Sequence, residues 1–396
     1  MKKTLTFLGL ILFACAAVAA EPLRVGTSGD YAPFSFRDAN GQLTGFDIDV
    51  AQRLAADLGR SAELVPFKWP ELTSRIEHGD IDVAMSGVTQ RADRTLSMLF
   101  SRPYAITGAV AVIRKSNHRR LPTLAALDNP TVKIAVNAGG HLEQVARRQF
   151  PQAQILSTTE NATLSEQLRS GSVDAVVSEE LEARTWGTES FERIGPFTRD
   201  RKAYAFSRGA AVLRQQVDDW LAARETDGWL DALRRKWLGE SASMKASQAC
   251  FEALAAAMDL RLQLMPKVAA VKRRDGLPIQ DPQQEAAVLE KVKASAKAVD
   301  LNSDSVAQLF RVQIDAAVEV ERRTDEVAPP ELALADLRGA IAGLSQQEIG
   351  ELGRCSKYWK DPAGRKQLRA TLEHGIETPL PPQLVARMVT AVQQIR

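Results

Sequence analysis

LRVGTSGDYAPFSF, residues 23–36, followed by GFDIDVAQRLA at 45–55, decides how the first half of the chain folds. Residues 23–26 read as a strand, and the glycine and proline after them end it. Ile48, Val50, Leu54 and Leu58 then recur at the spacing of an amphipathic helix. The alternation continues: strand at 62–66, helix at 69–78, and buried strands at 81–85, 110–113, 133–136 and 175–177. Strands and helices taking turns predict an α/β domain with mostly parallel sheets.

Outward from that stretch, 396 residues exceed one ordinary core, so two or three domains are expected. Lys2 and Lys3, an apolar run over 5–18, and the small residues Ala19 and Ala20 read as a secretory signal peptide over 1–20. Cys15 leaves a lipoprotein reading open, although Phe13 is bulky for that motif. No other run approaches the roughly 20 apolar residues that cross a bilayer. After signal cleavage the chain is expected to be periplasmic and off the membrane. The formal charge of +2 argues against a nucleic-acid or membrane-surface field. Anionic ligands must then be met by local Arg and Lys.

Removal of the signal leaves Cys250 and Cys355. In an oxidising compartment such a pair reads as a disulfide, with two separate buried thiols as the alternative. His78, His118, His141 and His374 lack metal-ligand spacing, and no glycine-rich phosphate loop occurs. Neither metal nor cofactor is expected, and the oligomeric state is left open. Composition shifts at 239–249, and 241–249 reads as a linker or a short helical connector. Beyond it, Phe251, Leu254, Met258, Leu262, Met265 and Val268 share helical spacing. Asp281-Pro282, Asn302 or Ser303, Pro329-Pro330, Asp361-Pro362 and Pro381-Pro382 mark five further helix starts. Residues 250–396 are thus expected to be all-α.

Residues 21–240 resemble the two-lobed periplasmic amino-acid-binding proteins. The opening stretch, GDIDVAMSGVTQRADR at 79–94 and FSRPY at 100–104 carry the resemblance. It implies that Arg94 grips a ligand carboxylate through a bidentate pair. Trp69 either closes the pocket or sits in the core. Within that family the chain looks most similar to cyclohexadienyl dehydratases, which convert prephenate to phenylpyruvate and arogenate to phenylalanine. The matching residues are Gly29-Asp30-Tyr31, Trp69-Pro70, Met85-Ser86-Gly87, Asn137 with Gly139-Gly140, and Glu182-Ala183-Arg184.

Ser86 and Asn137 are carried over as substrate contacts. The reaction calls for one carboxylic acid kept neutral by desolvation. The resemblance puts it at Glu182, with Asp30 orienting it or the substrate hydroxyl. From residue types alone, SEELEAR at 178–184 also offers Glu179 or Glu180 for a ligand amino group. Ala109 and Leu142 stand where the family dehydratases carry Lys and Asn. An amino-acid receptor lobe that does not turn over is therefore the competing reading.

Residues 250–396 resemble the secreted, single-chain members of the all-helical (AroQ-type) chorismate mutases. The carrying stretches are 259–285, 306–321 and 329–341. Arg261 and Lys272 lie eleven residues apart, roughly three turns, on one helix face. The resemblance implies that Arg261 and Arg338 grip carboxylates of chorismate. It gives Lys272 a carboxylate and the ether oxygen, and Glu285, with Asp281, the hydroxyl. Glu321 would donate a hydrogen bond to the ether oxygen and must be protonated to do so. Asp281 is equally an N-cap, Gln284 stands where Arg is usual and can complete a capping box, and Ala317 replaces a hydroxyl, with Gln313 near enough to compensate.

Overall fold

The computed structural model describes residues 21–395. The expected signal peptide, 1–20, lies outside the described residues. The first half forms two lobes, each built on a five-stranded sheet. In the first lobe the strand order is Ala62–Pro66, Leu23–Thr27, Val83–Ala84, Ala205–Ser207, Met98–Phe100. In the second it is Gln154–Thr158, Lys133–Asn137, Ala175–Glu179, Ala109–Arg114, Phe191–Ile194. Within each sheet the first three strands run parallel.

The remaining strands pair antiparallel, so both sheets are mixed rather than mostly parallel. The chain passes between lobes twice, at Ala105–Thr107 and Asp200–Lys202, and these two short strands pair antiparallel with each other. Ala109–Arg114 enters the second lobe, and Ala205–Ser207 re-enters the first, directly from that crossing. Each therefore runs against the strands already there. Burial over 110–113 was legible, whereas strand direction depends on the crossing.

One buried carboxylate ties the first lobe to the mouth of the cleft. Asp47, in the first turn of helix Phe46–Asp57, accepts from Gly87 N at 2.6 Å, Tyr104 OH at 3.0 Å and Tyr204 OH at 3.1 Å. Burial raises its pKa to about 7. Gly87 has φ +63°, and a Cβ there would stand 2.6 Å from the Tyr31 ring. Only glycine lets this turn come so close to the aromatic wall.

The second half is helical. Its helices are Ala246–Gln263, Met265–Arg274, Pro282–Lys297, Ser303–Arg323, Leu334–Cys355, Pro362–Gly375 and Pro382–Gln393. Asp281, Asn302 and Asp361 cap three of them through backbone N–H groups three residues on, at 2.7–3.1 Å. The expected single helix through Val268 is broken at Leu264, because Pro266 supplies no N–H and suits a first helical turn. Over 241–249, a 3₁₀ turn covers Glu240–Ala242 and helix begins at Ala246, which is the helical-connector form of that stretch.

Helical region and lobes dock through charges. Arg199 pairs with Glu252 at 2.6 Å, Arg354 with Asp219 at 2.6 Å, and buried Arg102 with buried Glu351 at 3.6 Å. No helix among the described residues is long and apolar enough to cross a membrane.

Cys250 and Cys355 form a disulfide that staples the first of these helices to the end of the fifth, with a sequence separation of 105. A loop of that size in the unfolded chain implies a loss of about 2–5 kcal/mol when the bond is removed. Urea unfolding of a Cys250→Ala/Cys355→Ala variant is expected to show that loss. An unchanged midpoint would mean that helix packing alone holds the two ends.

Candidate functional sites

The first site is the cleft between the lobes, walled by Tyr31, Trp69, Arg94, Asn137, Glu182 and Lys202. Helix Glu180–Thr185 starts where strand Ala175–Glu179 ends, and this junction sorts three neighbouring acids. Glu179 is fully buried, and its two oxygens accept from Gly108 N at 3.0 Å and Leu181 N at 2.8 Å. It is occupied as a helix cap. Glu180 turns outward to Arg184. Glu182 faces the cleft and is 5% exposed.

Its Oε1 meets Asn161 Nδ2 at 2.6 Å and its Oε2 meets Ser178 Oγ at 2.7 Å. No cation pairs with it among the described residues. Desolvation therefore wins over two neutral hydrogen bonds and raises its pKa to about 8. At neutral pH this carboxyl holds its proton.

Arg94 also lines the cleft, 9% exposed, and its buried Nη1 has no hydrogen-bond partner among the described residues. Burial lowers its pKa to about 10, which leaves it cationic at neutral pH. Trp69 joins the wall, edge-on to Tyr31 at 5.7 Å between ring centroids. Asn137 lines the cleft with a buried, unpartnered Oδ1.

Two expected contacts come out differently. Ser86 Oγ accepts from Ser28 N at 3.0 Å and lies 2.9 Å from Ser28 Oγ, so it secures the neighbouring turn and does not line the cleft. Asp30 makes no hydrogen bond to the acid among the described residues: Asn161 Nδ2 bonds the Asp30 backbone carbonyl at 3.0 Å while holding Glu182, and the Asp30 charge adds to the rise in the Glu182 pKa. The Asp30 carboxyl instead borders an adjoining groove that Glu182 shares. Asn161, His141 and Lys202 line the cleft without having been singled out as contacts. Asn161 opens a three-residue 3₁₀ turn and Lys202 ends the three-residue crossing strand, elements too short for periodicity to mark a side chain as inward. Leu142 is also in the wall, whereas Ala109 is core.

The second cluster lies in the helical region. Arg261 donates to Glu348 at 2.9 Å and to Gln313, and it lies 4.6 Å over the Phe310 ring. Lys272 donates to Glu321 at 2.8 Å and to the Ile279 carbonyl at 2.6 Å. Burial raises the Glu321 pKa against the opposing pull of Lys272. The kink at Pro266 puts Arg261 and Lys272 on consecutive helices, so they do not share one straight face.

Their partners Gln313 and Glu321 are two turns apart on one helix, about 12 Å. Ala317 lies between them. Arg338 is exposed and meets Asp281 at 3.5 Å, at the outer edge. Glu285 is half-buried and near enough to raise Glu321 further. Gln284 gives Asp281 its backbone N–H, and the reciprocal side-chain bond of a capping box is absent among the described residues. Glu348 was not anticipated; it falls in a run, LSQQEIGE, that reads as an ordinary polar face.

Residues 23–240 match the bacterial extracellular solute-binding proteins, family 3. The chain belongs to that family. Residues 248–322 match chorismate mutase type II. Cyclohexadienyl dehydratase of Pseudomonas aeruginosa is 37% identical over 221 residues, covering 54% of this chain and 82% of that one. The L-cystine-binding protein TcyJ of Escherichia coli K12 is 33% identical over 221 residues, covering 55% and 82%.

The crystal structure of an ancestral amino acid-binding protein, described as a precursor of cyclohexadienyl dehydratase, superposes with a TM-score of 0.53 at 36% identity. It covers 55% of this chain and 95% of that one. The chain thus joins a cyclohexadienyl dehydratase homologue of two-lobed fold to an all-helical chorismate mutase domain.

The raised Glu182 pKa has a consequence for stability. The folded state keeps the proton up to about pH 8, whereas the unfolded carboxyl releases it near 4.5. Stability is therefore lost as pH rises between those values. Glutamine imitates the neutral acid towards both Asn161 and Ser178. Each tenfold difference in proton affinity between the folded and unfolded carboxyl is worth about 1.4 kcal/mol. Glu182→Gln is expected to match the wild type at pH 4 and to exceed it by roughly a few kcal/mol at pH 8. Parallel denaturation curves across that range would contradict the buried neutral acid.

Proposed function

We propose that the mature protein is a bifunctional periplasmic enzyme of aromatic amino-acid biosynthesis. The signal peptide is removed, residues 21–240 act as the dehydratase, and 250–396 act as the mutase. The helical domain rearranges chorismate to prephenate. The two-lobed domain dehydrates and decarboxylates prephenate to phenylpyruvate, or arogenate to phenylalanine. The observation that carries this reading is Glu182, a buried carboxyl bonded only to Asn161 and Ser178 and facing a cleft that also holds Arg94, whose Nη1 has no partner among the described residues.

In the dehydratase, Arg94 grips the side-chain carboxylate. Glu182 gives its proton to the ring hydroxyl, which leaves as water. The bond from the ring to its carboxylate breaks, carbon dioxide departs, and the electron pair aromatises the ring. Glu182 then regains a proton from solvent. General acid catalysis of this kind contributes about 10²–10⁴ in rate.

In the mutase, one carbon–oxygen bond breaks and one carbon–carbon bond forms within a single molecule. The protein's part is to hold a compact conformer and to stabilise charge on the ether oxygen. Arg261 and Lys272 are the buried cations suited to that, with Arg338 and Asp281 at the entrance. Binding must exchange the Arg261–Glu348 and Lys272–Glu321 pairs for substrate carboxylates. Glu321, raised in pKa by burial, is the group that can then donate to the ether oxygen.

The test gives the full-length mature protein chorismate and, separately, prephenate. Prephenate from the first and phenylpyruvate from the second are expected. Glu182→Gln should lower phenylpyruvate formation by about 10²–10⁴ and leave the chorismate reaction unchanged. Prephenate accumulating from chorismate without further conversion would mean that the two-lobed domain only binds. A full dehydratase rate in Glu182→Gln would remove the assigned acid.

A further inference from the structure

Lys202 is buried, 1% exposed, in the wall of the dehydratase cleft. A buried ammonium is ordinarily paired with a carboxylate, because desolvating it alone is costly. Among the described residues Nζ meets only neutral oxygens, Thr89 Oγ1 at 2.8 Å and Tyr31 OH at 3.4 Å. The rings of Tyr31 and Phe34 lie 5.7 and 5.9 Å away.

Three acids act on it from a distance without pairing with it. Glu179 is bonded to two backbone N–H groups, Asp47 to Gly87 and two tyrosines, and Asp200 to His141 at 2.9 Å. Asp200 Oδ2 has no hydrogen-bond partner among the described residues, yet no carboxylate there lies within ion-pair distance of Lys202 Nζ. A backbone bridge to Thr89 fixes its place beside the segment that leads to Arg94. Glu182, by contrast, is held by Ser178 and Asn161. The cleft has two cations along one connected wall and its neutral acid on separate supports.

We propose that Lys202 binds the ring carboxylate of the substrate, the group lost as carbon dioxide, and thereby lets the cleft distinguish substrate from product. This rests on the dehydratase reading of the cleft. A cyclohexadienyl substrate carries its ring carboxylate and its side chain on the same ring carbon, with the hydroxyl at the opposite end. Arg94 and Lys202 are two cations lining the same cleft as the acid Glu182, which matches a ligand with two carboxylates and one hydroxyl. The aromatic product keeps only the side-chain carboxylate, which Arg94 holds.

Lys202 holds the ring carboxylate in the bound substrate and equally in a transition state where the bond to that carboxylate is still largely intact, so its contribution is uniform binding. Its loss should therefore appear in KM and not in kcat. It also follows that the product binds without using Lys202, which favours its release.

The test uses the full-length protein with prephenate as substrate and phenylpyruvate as competitive inhibitor. Lys202→Met is expected to raise KM for prephenate about 10–100-fold, the range for a charge-assisted hydrogen bond. The same variant should change kcat less than about threefold and leave the phenylpyruvate inhibition constant within about twofold. Arg94→Met should weaken substrate and product alike. Lys202→Gln, which keeps a polar tip for Thr89, serves if the methionine variant does not fold and should show the same split.

KM and the inhibition constant rising together, or neither rising, overturns the inference while leaving the dehydratase reading intact. A wild-type protein that forms no phenylpyruvate overturns both.

Discussion

Desolvation of one carboxyl is the constraint on which the cleft depends. Glu182 is shut away at the strand–helix junction and given neutral donors, Asn161 and Ser178, in place of a cation. Either a nearby Arg or exposure to water would return it to the ordinary carboxylate range. The fold provides this by sorting neighbouring acids. Glu179 takes the backbone N–H groups at the helix start, Glu180 takes Arg184 outside, and Glu182 is left with the interior. The cations of the cleft, Arg94 and Lys202, belong instead to the wall built from the segment after Gly87 and from the crossing strand.

The helical domain solves a related problem differently. Arg261 and Lys272 are buried against Glu348 and Glu321, so each cation has an internal counter-ion that a diacid would have to displace. Such pairs make a poor case for stability, since replacing them by apolar groups often costs nothing. Their retention fits a pocket that must stay cationic for a ligand. The two domains therefore keep their acids in opposite states before substrate arrives: Glu182 unpaired and neutral, Glu321 paired to Lys272.

Much of this was legible in the residues. The α/β alternation, the all-helical end and the caps Asp281, Asn302 and Asp361 follow from local chemistry, and the structure bears them out. Strand direction did not follow, because it is set by two passages between lobes that leave no local trace. The helix break at Leu264 could have been read from Pro266, which the apolar spacing on either side obscures. At the cleft, the motif points to Glu182, Arg94, Trp69 and Asn137, which line it, whereas Ser86 pairs with Ser28 and Asp30 borders the adjoining groove that Glu182 shares. Asn161 opens a three-residue 3₁₀ turn and Lys202 ends a three-residue strand, both too short for a period to mark inward positions. Glu348 was hidden because a buried counter-ion on a long helix looks, in sequence, like any solvated acid.

Whether the cleft holds a neutral acid can be decided by observing the Glu182 proton itself. Infrared difference spectra between the wild type and Glu182→Gln isolate the carboxyl stretch of that one residue. A protonated carboxyl is expected at pH 7, disappearing as pH rises through about 8. An ionised carboxylate at pH 7, titrating in the ordinary range near 4.5, would refute the neutral acid and with it the dehydratase chemistry built on it.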